Sequence, residues 1–144
     1  MKAVLDTSIL VSGMLNPSGS PGTIIDLMRS GVLEIVVDDR ILSEYIDVLR
    51  RDYFLKYFTA SDREDIVDYL TKNSHYALSK VVANQMPDPG DTPFLEIALT
   101  EGIPLVTGNL KHYPESGRMG CLVLTPREFL DAYSAAIGQN RKNP

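Results

Sequence analysis

The sequence contains one cysteine, two histidines and no tryptophan. The single cysteine, Cys121, excludes an internal disulfide framework and indicates a reducing, cytoplasmic location. We expect it to be a buried residue of a strand over residues 121–124. Long apolar runs are also missing, because no stretch approaches the roughly 20 residues needed to span a bilayer. The first residues are typical of a strand rather than a signal segment, so no membrane contact is expected.

Positive charge is outnumbered in this chain. The 14 lysine and arginine residues face 19 aspartate and glutamate residues, which gives a formal net charge of -5. This balance argues against a protein that coats nucleic acid through bulk electrostatics. It does not exclude a nuclease, because carboxylates gathered to hold metal ions would themselves make the total negative.

What the sequence does contain is an alternation of apolar, strand-like runs with helical patterns. The clearest runs cover residues 3–5, 33–37, 104–107 and 121–124, and residues 75–82 are a weaker candidate. Strands that alternate with helices predict an α/β fold with a mostly parallel sheet of about five strands. With 144 residues and 44% hydrophobic composition, the chain suits one domain over residues 1–137. A flexible polar tail is expected over residues 138–144.

Capping residues and prolines mark the expected helix starts. Starts of the cap-then-proline type occur at Ser20 and Thr92. Capping boxes of the type Ser/Thr-x-x-Glu begin at Ser61 and Thr125. With the apolar periodicity, these signals predict helices over residues 9–15, 23–30, 39–52, 61–70, 94–101 and 126–137.

A carboxylate follows the first predicted strand directly. Asp6 stands there with two further small polar residues, Thr7 and Ser8. Open parallel sheets bind ligands beyond the carboxyl ends of their strands, so this position is well suited to chemistry. The alternative is that Asp6 only caps the following helix.

A second carboxylate, Glu44, lies in the helix after the second strand. At about 100° per residue, Glu44 falls about 40° from Val48, at the rim of the apolar face. A rim carboxylate on a helix that starts at the same sheet edge can point toward Asp6. The alternative is a solvated glutamate beside Arg40 or Arg51.

Two further acidic residues, Asp88 and Asp91, precede the helix over residues 94–101. Capping and the helix dipole account for one acidic residue there, but not for two in a rigid loop of proline and glycine. This helix leads into a parallel strand, so it begins at the carboxyl edge of the sheet. The segments expected to meet at that edge carry Asp6, Glu44, Asp91 and residues 107–109.

Three carboxylates in one cleft repel one another, and a hard divalent cation relieves that repulsion. Ligands that are oxygen only, without cysteine or convergent histidines, indicate Mg²⁺ or Mn²⁺ rather than zinc. Such ions polarise a phosphoryl group and activate water for in-line attack. The residues alone therefore predict metal-assisted hydrolysis of a phosphodiester or a phosphate ester.

Four short segments, in their order and spacing, resemble the PIN-domain family, and in particular the VapC-type toxins of bacterial toxin–antitoxin systems. They are residues 3–12, 41–45, 87–98 and 105–111, and the similarity runs from Lys2 to about Leu130. The resemblance implies a Rossmann-like, three-layer α/β/α fold and a Mg²⁺- or Mn²⁺-dependent ribonuclease centre. It also implies single-stranded RNA as substrate and a cognate antitoxin protein as partner.

The resemblance assigns roles residue by residue. Asp6, Glu44 and Asp91 match the metal-binding carboxylates. The family usually has another aspartate where this chain has Asn109, whose amide oxygen can ligate a metal or orient a water but brings no charge. Asp88 is a candidate replacement for it. The hydroxyls that would orient the carboxylates are those of Thr7 or Ser8 and of Thr107.

Other residues have both a functional and a structural interpretation. Lys111 and Arg40 are weak candidates for contacts with substrate phosphates, and they also suit solvated surfaces. His112 follows the expected site and is a candidate for substrate contact, but a surface role is the favoured interpretation. The aromatic residues expected to pack together, with a homodimer contact as one interpretation and base stacking as another, are Tyr53, Phe54, Tyr57 and Phe58.

The sequence hypothesis is a metal-dependent endoribonuclease that cleaves single-stranded RNA through a metal-activated water, as the toxin of a toxin–antitoxin pair. Two alternatives stay open. One is a phosphatase that forms an aspartyl-phosphate on Asp6, although such enzymes normally have a second aspartate where this chain has Ser8. The other is a domain that binds RNA or a protein without cleavage, because Asn109 replaces an aspartate.

Overall fold

The computed structural model describes the backbone of residues 1–142 and the side chains of residues 1–135. Within these residues, five parallel strands form one sheet in the order β3-β2-β1-β4-β5. The strands are β1 (Lys2–Leu5), β2 (Glu34–Val37), β3 (His75–Tyr76), β4 (Leu105–Val106) and β5 (Val123–Leu124). The predicted Rossmann-like α/β fold with about five strands is confirmed.

The helices connect the strands and pack on the sheet. They are α1 (Thr7–Leu15), α2 (Ser20–Arg29), α3 (Asp39–Leu49), α4 (Ala60–Asn73), α5 (Thr92–Glu101) and α6 (Pro126–Lys142). Short 3₁₀ turns lie at Asp52–Lys56, Pro89–Asp91, Leu110–His112 and Glu115–Gly117. No helix in the described part of the chain is both long and apolar enough to cross a membrane.

The core forms where the short strands are covered on both faces. The residues of β1 from Ala3 to Leu5 are fully buried, and so are Leu105 and Val106 of β4. Strands of parallel sheets are buried on both sides, which explains why they are continuous apolar runs rather than alternating ones. The strand order reverses beside β1, and such a reversal opens a crevice at the carboxyl edge of the sheet.

Four strand predictions were too long, and those over residues 33–37 and 104–107 exceed the observed strands Glu34–Val37 and Leu105–Val106 only slightly. The strand predicted over residues 75–82 ends at Tyr76, and the segment that follows leaves Leu78 and Val82 exposed to 86% and 79%. The last strand begins at Val123, so the prediction that Cys121 is a buried strand residue was wrong. Cys121 is only partly buried, and this desolvation raises the pKa of its thiol to about 11.

Several helix starts also differ from prediction. The capping box at Ser61 was wrong, because Thr59 caps α4 by accepting a hydrogen bond from the Asp62 N–H at 3.0 Å. Ser20 and Thr92 lie within their helices, one residue after the cap position. The capping box at Thr125 is confirmed by two reciprocal hydrogen bonds with Glu128, at 3.0 and 3.1 Å.

Three helix ends were misplaced, and one of them is that of α4, which ends at Asn73 rather than at residue 70. Helix α3 ends at Leu49 rather than near residue 52, where a 3₁₀ turn takes over. Helix α6 extends to Lys142, beyond the end expected at residue 137. The last two residues of the predicted flexible tail, residues 138–144, lie outside the described residues. The flexibility of that tail stays a prediction.

Candidate functional site

Asp6 occupies the crevice where the strand order reverses. Its backbone N–H donates to the Val106 carbonyl at 2.9 Å, which ties the end of β1 to the end of β4. Its side chain is buried, and Oδ2 accepts hydrogen bonds from Thr107 Oγ1 at 2.7 Å and from Ser8 Oγ at 3.3 Å. Asp6 makes no side-chain cap to α1, although it stands at the cap position. The interpretation of Asp6 as only a helix cap is therefore wrong.

Glu44 lies on the rim of α3, half-buried, as its position in the apolar pattern predicts. Thr7 Oγ1 donates a hydrogen bond to Glu44 Oε2, so a residue of α1 holds this carboxylate at the sheet edge. Partial burial raises the pKa of Glu44, the hydrogen bond from Thr7 opposes this shift, and the charges of Asp6 and Asp88 add to it. The charge of Arg51 opposes the shift, so Glu44 is influenced by acidic and basic neighbours, and its role as a metal ligand stays a prediction.

Asp91 ends the 3₁₀ turn Pro89–Asp91 and stands at the cap position of α5. Its Oδ2 atom is buried and makes no hydrogen bond with any described residue, although His112 Nδ1 lies 3.3 Å away. Burial raises the pKa of Asp91 to about 6, with repulsion from Asp6 as the next cause and His112 opposing it. The protein therefore holds a crowded, poorly satisfied carboxylate at this edge.

The remaining acidic candidate, Asp88, is exposed. Its carboxylate accepts a hydrogen bond from the Gly90 N–H at 2.8 Å and so caps the turn that carries Asp91. The charge of Asp88 contributes to the raised pKa values of both Asp91 and Glu44. It therefore shapes the loop and adds negative charge to the site.

We define the acidic cluster as Asp6, Glu44 and Asp91. Within the side chains that the structure describes, no group of three or more such residues is already arranged to hold a metal ion. The donor chemistry nevertheless fits a hard divalent cation, because the ligands are carboxylates and one buried oxygen of Asp91 has no hydrogen bond. Binding would require these side chains to close around the ion.

The turn after β4 contributes a buried hydroxyl and a close backbone. Thr107 is fully buried, and its Oγ1 also accepts a hydrogen bond from the Asn109 N–H at 3.1 Å. The Gly108 N–H donates to Ser8 Oγ at 3.2 Å, and a Cβ on Gly108 would lie 3.3 Å from that oxygen. Each of the three hydroxyls predicted to orient the carboxylates donates a hydrogen bond to one of them: Thr7 to Glu44, and Ser8 and Thr107 to Asp6.

Asn109 is exposed, and its amide is engaged locally. The side-chain oxygen accepts a hydrogen bond from the Lys111 N–H at 3.2 Å and caps the turn Leu110–His112. One acceptor site of this amide oxygen therefore holds the turn, and a role for Asn109 beside the acidic residues stays a prediction.

The basic candidates differ in availability. Arg40 pairs with Asp38 at 2.8 Å and with Glu96 at 2.7 Å. Burial opposes a raised pKa for Arg40, but its hydrogen bonds to these two carboxylates outweigh that effect. Lys111 is exposed and forms no ion pair among the described residues, so it is the more available cation near the site.

Two residues at the site were missed or misjudged from the sequence. His112 is exposed, as expected, but its Nδ1 lies 3.3 Å from Asp91 Oδ2, a contact that the sequence does not reveal. Tyr113 is fully buried, and its hydroxyl makes no hydrogen bond within the described residues. Burial raises the pKa of Tyr113, and the charges of Asp6 and Asp91 raise it further. Only the proximity of both residues to Asn109 in sequence could have signalled their place.

The aromatic cluster lies away from this edge. Phe58 is buried, while Tyr53 and Tyr57 are exposed to 58% and 55%. The rings pack on one another, with Phe54 stacked on Phe58 at 5.7 Å between centroids. A groove of about 750 Å³ runs beside it along α3, between Leu42 and Asp52. The predicted packing is confirmed, and a dimer contact there stays a prediction.

Comparison with known proteins gives a family and a fold. A family model described as PIN domain matches residues 2–111. An uncharacterized protein from Methanocaldococcus jannaschii is 25% identical over 148 residues, which cover 95% of this chain and 94% of that protein. A chain in the crystal structure of VapBC2 from Rickettsia felis, bound to a DNA fragment from their promoter, superposes with a TM-score of 0.56. It is 14% identical, and the match covers 87% of this chain and 98% of that one.

Proposed function

This chain belongs to the PIN domain family, and on that premise we propose that it is a Mg²⁺- or Mn²⁺-dependent endoribonuclease acting on single-stranded RNA. The family supports an activity of the nuclease kind. The metal, the RNA substrate and the cleavage itself are our proposal for this chain.

The observation that carries the proposal is the state of Asp91. A buried carboxylate oxygen without a hydrogen bond, next to a second buried carboxylate, is costly for a folded protein. The pKa of about 6 expresses that cost. A divalent cation bound by Asp91 and Asp6 would reduce the repulsion between the two carboxylates. It would also give the unpaired oxygen of Asp91 a partner.

The chain's own residues have distinct tasks in this proposal. Asp6, Glu44 and Asp91 would hold the cation, which supplies positive charge to a phosphoryl oxygen and lowers the pKa of water. Thr107 and Ser8 fix the Asp6 carboxylate through hydrogen bonds at 2.7 and 3.3 Å.

The other supports lie on α1 and on the turn after β4. Thr7 fixes Glu44 from the first turn of α1. Lys111 is the cation best suited to meet a substrate phosphate, because no acidic partner engages it in the described part of the chain. Arg40 is held by Asp38 and Glu96 and is a weaker candidate for that task.

The first experiment measures cleavage of a labelled single-stranded RNA with Mn²⁺, with EDTA, and with the variant Glu44→Gln. We expect EDTA to abolish cleavage and Glu44→Gln to reduce it by about 100-fold. The matched control is Asp47→Asn, which removes an outward-facing carboxylate from the same helix and should retain activity. Cleavage that persists in EDTA, or that is equal in the two variants, would exclude the proposal.

One observation favours a second candidate function. Asn109 stands where the family usually has an aspartate, and its amide oxygen already accepts from the Lys111 N–H. A domain without that charge could bind RNA or a protein partner and cut nothing. Calorimetry would separate the two, because this alternative predicts RNA affinity without Mn²⁺ binding.

A cognate antitoxin, a homodimer and a cytoplasmic location complete the proposal. The similarity in fold to a chain of a VapBC2 complex supports the proposal that the partner is an antitoxin protein. An antitoxin would cover the acidic cluster and suppress cleavage. Light scattering of the purified chain, alone and with a candidate antitoxin protein, tests the dimer and the complex together.

A further inference from the structure

Two unsatisfied polar atoms occur at the same edge of the sheet. Within the described side chains, the buried atoms that lack a hydrogen bond are Arg63 Nε, Ser74 Oγ, Asp91 Oδ2 and Tyr113 OH. Buried polar groups are nearly always paired, so each exception calls for an explanation. Two of these four atoms belong to the candidate site, and they are chemically complementary: a phenol donates a hydrogen bond and a carboxylate accepts one.

A second buried tyrosine, Tyr45, and a partly buried one, Tyr69, both have hydrogen-bonded hydroxyls. The hydroxyl of Tyr45 donates to the carbonyl of Leu5. The hydroxyl of Tyr69 donates to the carbonyl of Met28 at 2.6 Å. Tyr113 is as deeply buried as Tyr45, yet its hydroxyl has no such acceptor. The unpaired hydroxyl is therefore specific to the position beside the acidic cluster.

The backbone of Tyr113 is fixed on both sides. Its N–H donates to the Leu110 carbonyl at 3.0 Å, and its carbonyl accepts from Arg118 Nε at 2.6 Å. Burial and the charges of Asp6 and Asp91 raise the pKa of the phenol, so the hydroxyl stays protonated and remains a donor. A fixed, permanently protonated donor in the field of two carboxylates is suited to orient one of them.

We propose that Tyr113 is a positioning residue of the acidic cluster: its hydroxyl donates a hydrogen bond to Asp91, directly or through one water molecule, when Asp91 binds a divalent cation. This inference rests on the proposed function. In the structure this hydroxyl makes no hydrogen bond with any described residue. The hydroxyl then contributes to cation affinity and not to the stability of the free fold.

The test compares Tyr113→Phe with the matched control Tyr69→Phe, in the full chain. Calorimetry measures Mn²⁺ affinity, and thermal unfolding without metal measures the stability of the free fold. We expect Tyr113→Phe to weaken Mn²⁺ binding by about 10-fold without lowering the unfolding temperature. We expect Tyr69→Phe to lower the unfolding temperature and leave Mn²⁺ affinity unchanged, because its hydrogen bond lies at the opposite edge of the sheet.

A second measurement, tyrosine ultraviolet absorption, does not depend on a change in Mn²⁺ affinity. Mn²⁺ should change the tyrosine ultraviolet absorption of the wild-type chain, and Tyr113→Phe should remove that change while Tyr69→Phe keeps it. Equal Mn²⁺ affinity in wild type and Tyr113→Phe overturns this inference alone. An affinity loss matched by a lower unfolding temperature without metal also overturns it, because it indicates a structural role. A wild-type chain that does not bind Mn²⁺ overturns the proposed function and this inference together.

Discussion

At the scale of single residues, the repulsion between carboxylates in the acidic cluster lowers the stability of the folded protein. Asp91 has a folded-state pKa of about 6 against an ordinary value of 3.8. The folded protein therefore binds more protons than the unfolded chain between these two values. The contribution of Asp91 to the stability of the metal-free protein therefore falls as pH rises through this window and does not recover above it.

Replacing that carboxylate should stabilise the metal-free protein. A pKa shift of about 2 units corresponds to about 3 kcal/mol, so we expect Asp91→Asn to raise the unfolding free energy by about 1–3 kcal/mol near neutral pH. The gain should vanish below about pH 4, where Asp91 is protonated in both states. Urea unfolding at the two pH values measures it, with the exposed Asp47→Asn as control. A gain that is equal at both pH values would contradict the electrostatic cause.

The acidic cluster could be predicted from the sequence because strand ends and helix starts converge on one sheet edge. Asp6 and Asp91 each stand at such a boundary, and Glu44 lies on the rim of a helix that begins at this edge. Their hydrogen-bond partners were harder to predict. His112 and Tyr113 reach the site only because Leu110–His112 forms a 3₁₀ turn, and no periodic pattern marks so short an element.

At the scale of elements, an ion-pair clamp joins the end of β2 to α5. Glu96 is buried, and it binds Arg40 through Oε1 at 2.7 Å and the Ala83 N–H through Oε2 at 2.8 Å. Arg40 also binds Asp38, which caps α3 by accepting from the Ile41 N–H at 2.9 Å. The clamp thereby fixes the position of α3, which carries Glu44, relative to α5, which follows Asp91.

Breaking this clamp should be costly. Glu96→Ala leaves a buried N–H and a guanidinium without their acceptor, and we expect a loss of about 2 kcal/mol in unfolding free energy. Glu64→Ala breaks an exposed pair with Arg50 at 2.9 Å and should cost less than about 0.5 kcal/mol. Chemical denaturation of both variants checks the contrast. Equal losses would show that the clamp is no more than a surface pair.

The close contact between the α1–α2 loop and α2 requires glycine at position 22, because a side chain there would clash with the loop. A Cβ on Gly22 would lie 2.1 Å from the Pro17 carbonyl oxygen, a backbone atom that cannot rotate away. We expect Gly22→Ala to destabilise the fold by about 1–3 kcal/mol through overpacking. Thr23→Ala, at the exposed neighbouring position of α2, should change stability by less than about 0.5 kcal/mol. Thermal unfolding of the two variants distinguishes packing from helix propensity.

Element types followed well from the sequence, and boundaries less so. The apolar runs predicted all five strands because parallel strands bury both faces. The run over residues 75–82 misled because Leu78 and Val82 are apolar yet exposed, and nothing local distinguishes them from buried strand residues. The Ser61 capping box misled because Thr59, two residues earlier, supplies an equivalent hydroxyl.

At the scale of the whole molecule, the proposed cation should couple to folding. A ligand that binds only the folded state stabilises it by about 2.7 kcal/mol at a concentration 100 times its dissociation constant. Saturating Mn²⁺ should therefore raise the unfolding temperature of the wild type by several degrees. Glu44→Gln should abolish most of this increase, and Asp47→Asn should preserve it. An equal increase in both variants would place the cation away from the acidic cluster.

The pairing of β1 with β4 has a consequence for the order in which the fold is completed. The hydrogen bond from Thr107 to Asp6 joins residues 101 positions apart. Contacts of such long sequence separation form late, after the loop between them has closed. A chain growing on the ribosome carries Asp6 from the start but lacks its anchor until most of the sequence has emerged. The candidate site is thus assembled late, and a nascent chain that ends before Thr107 does not carry it.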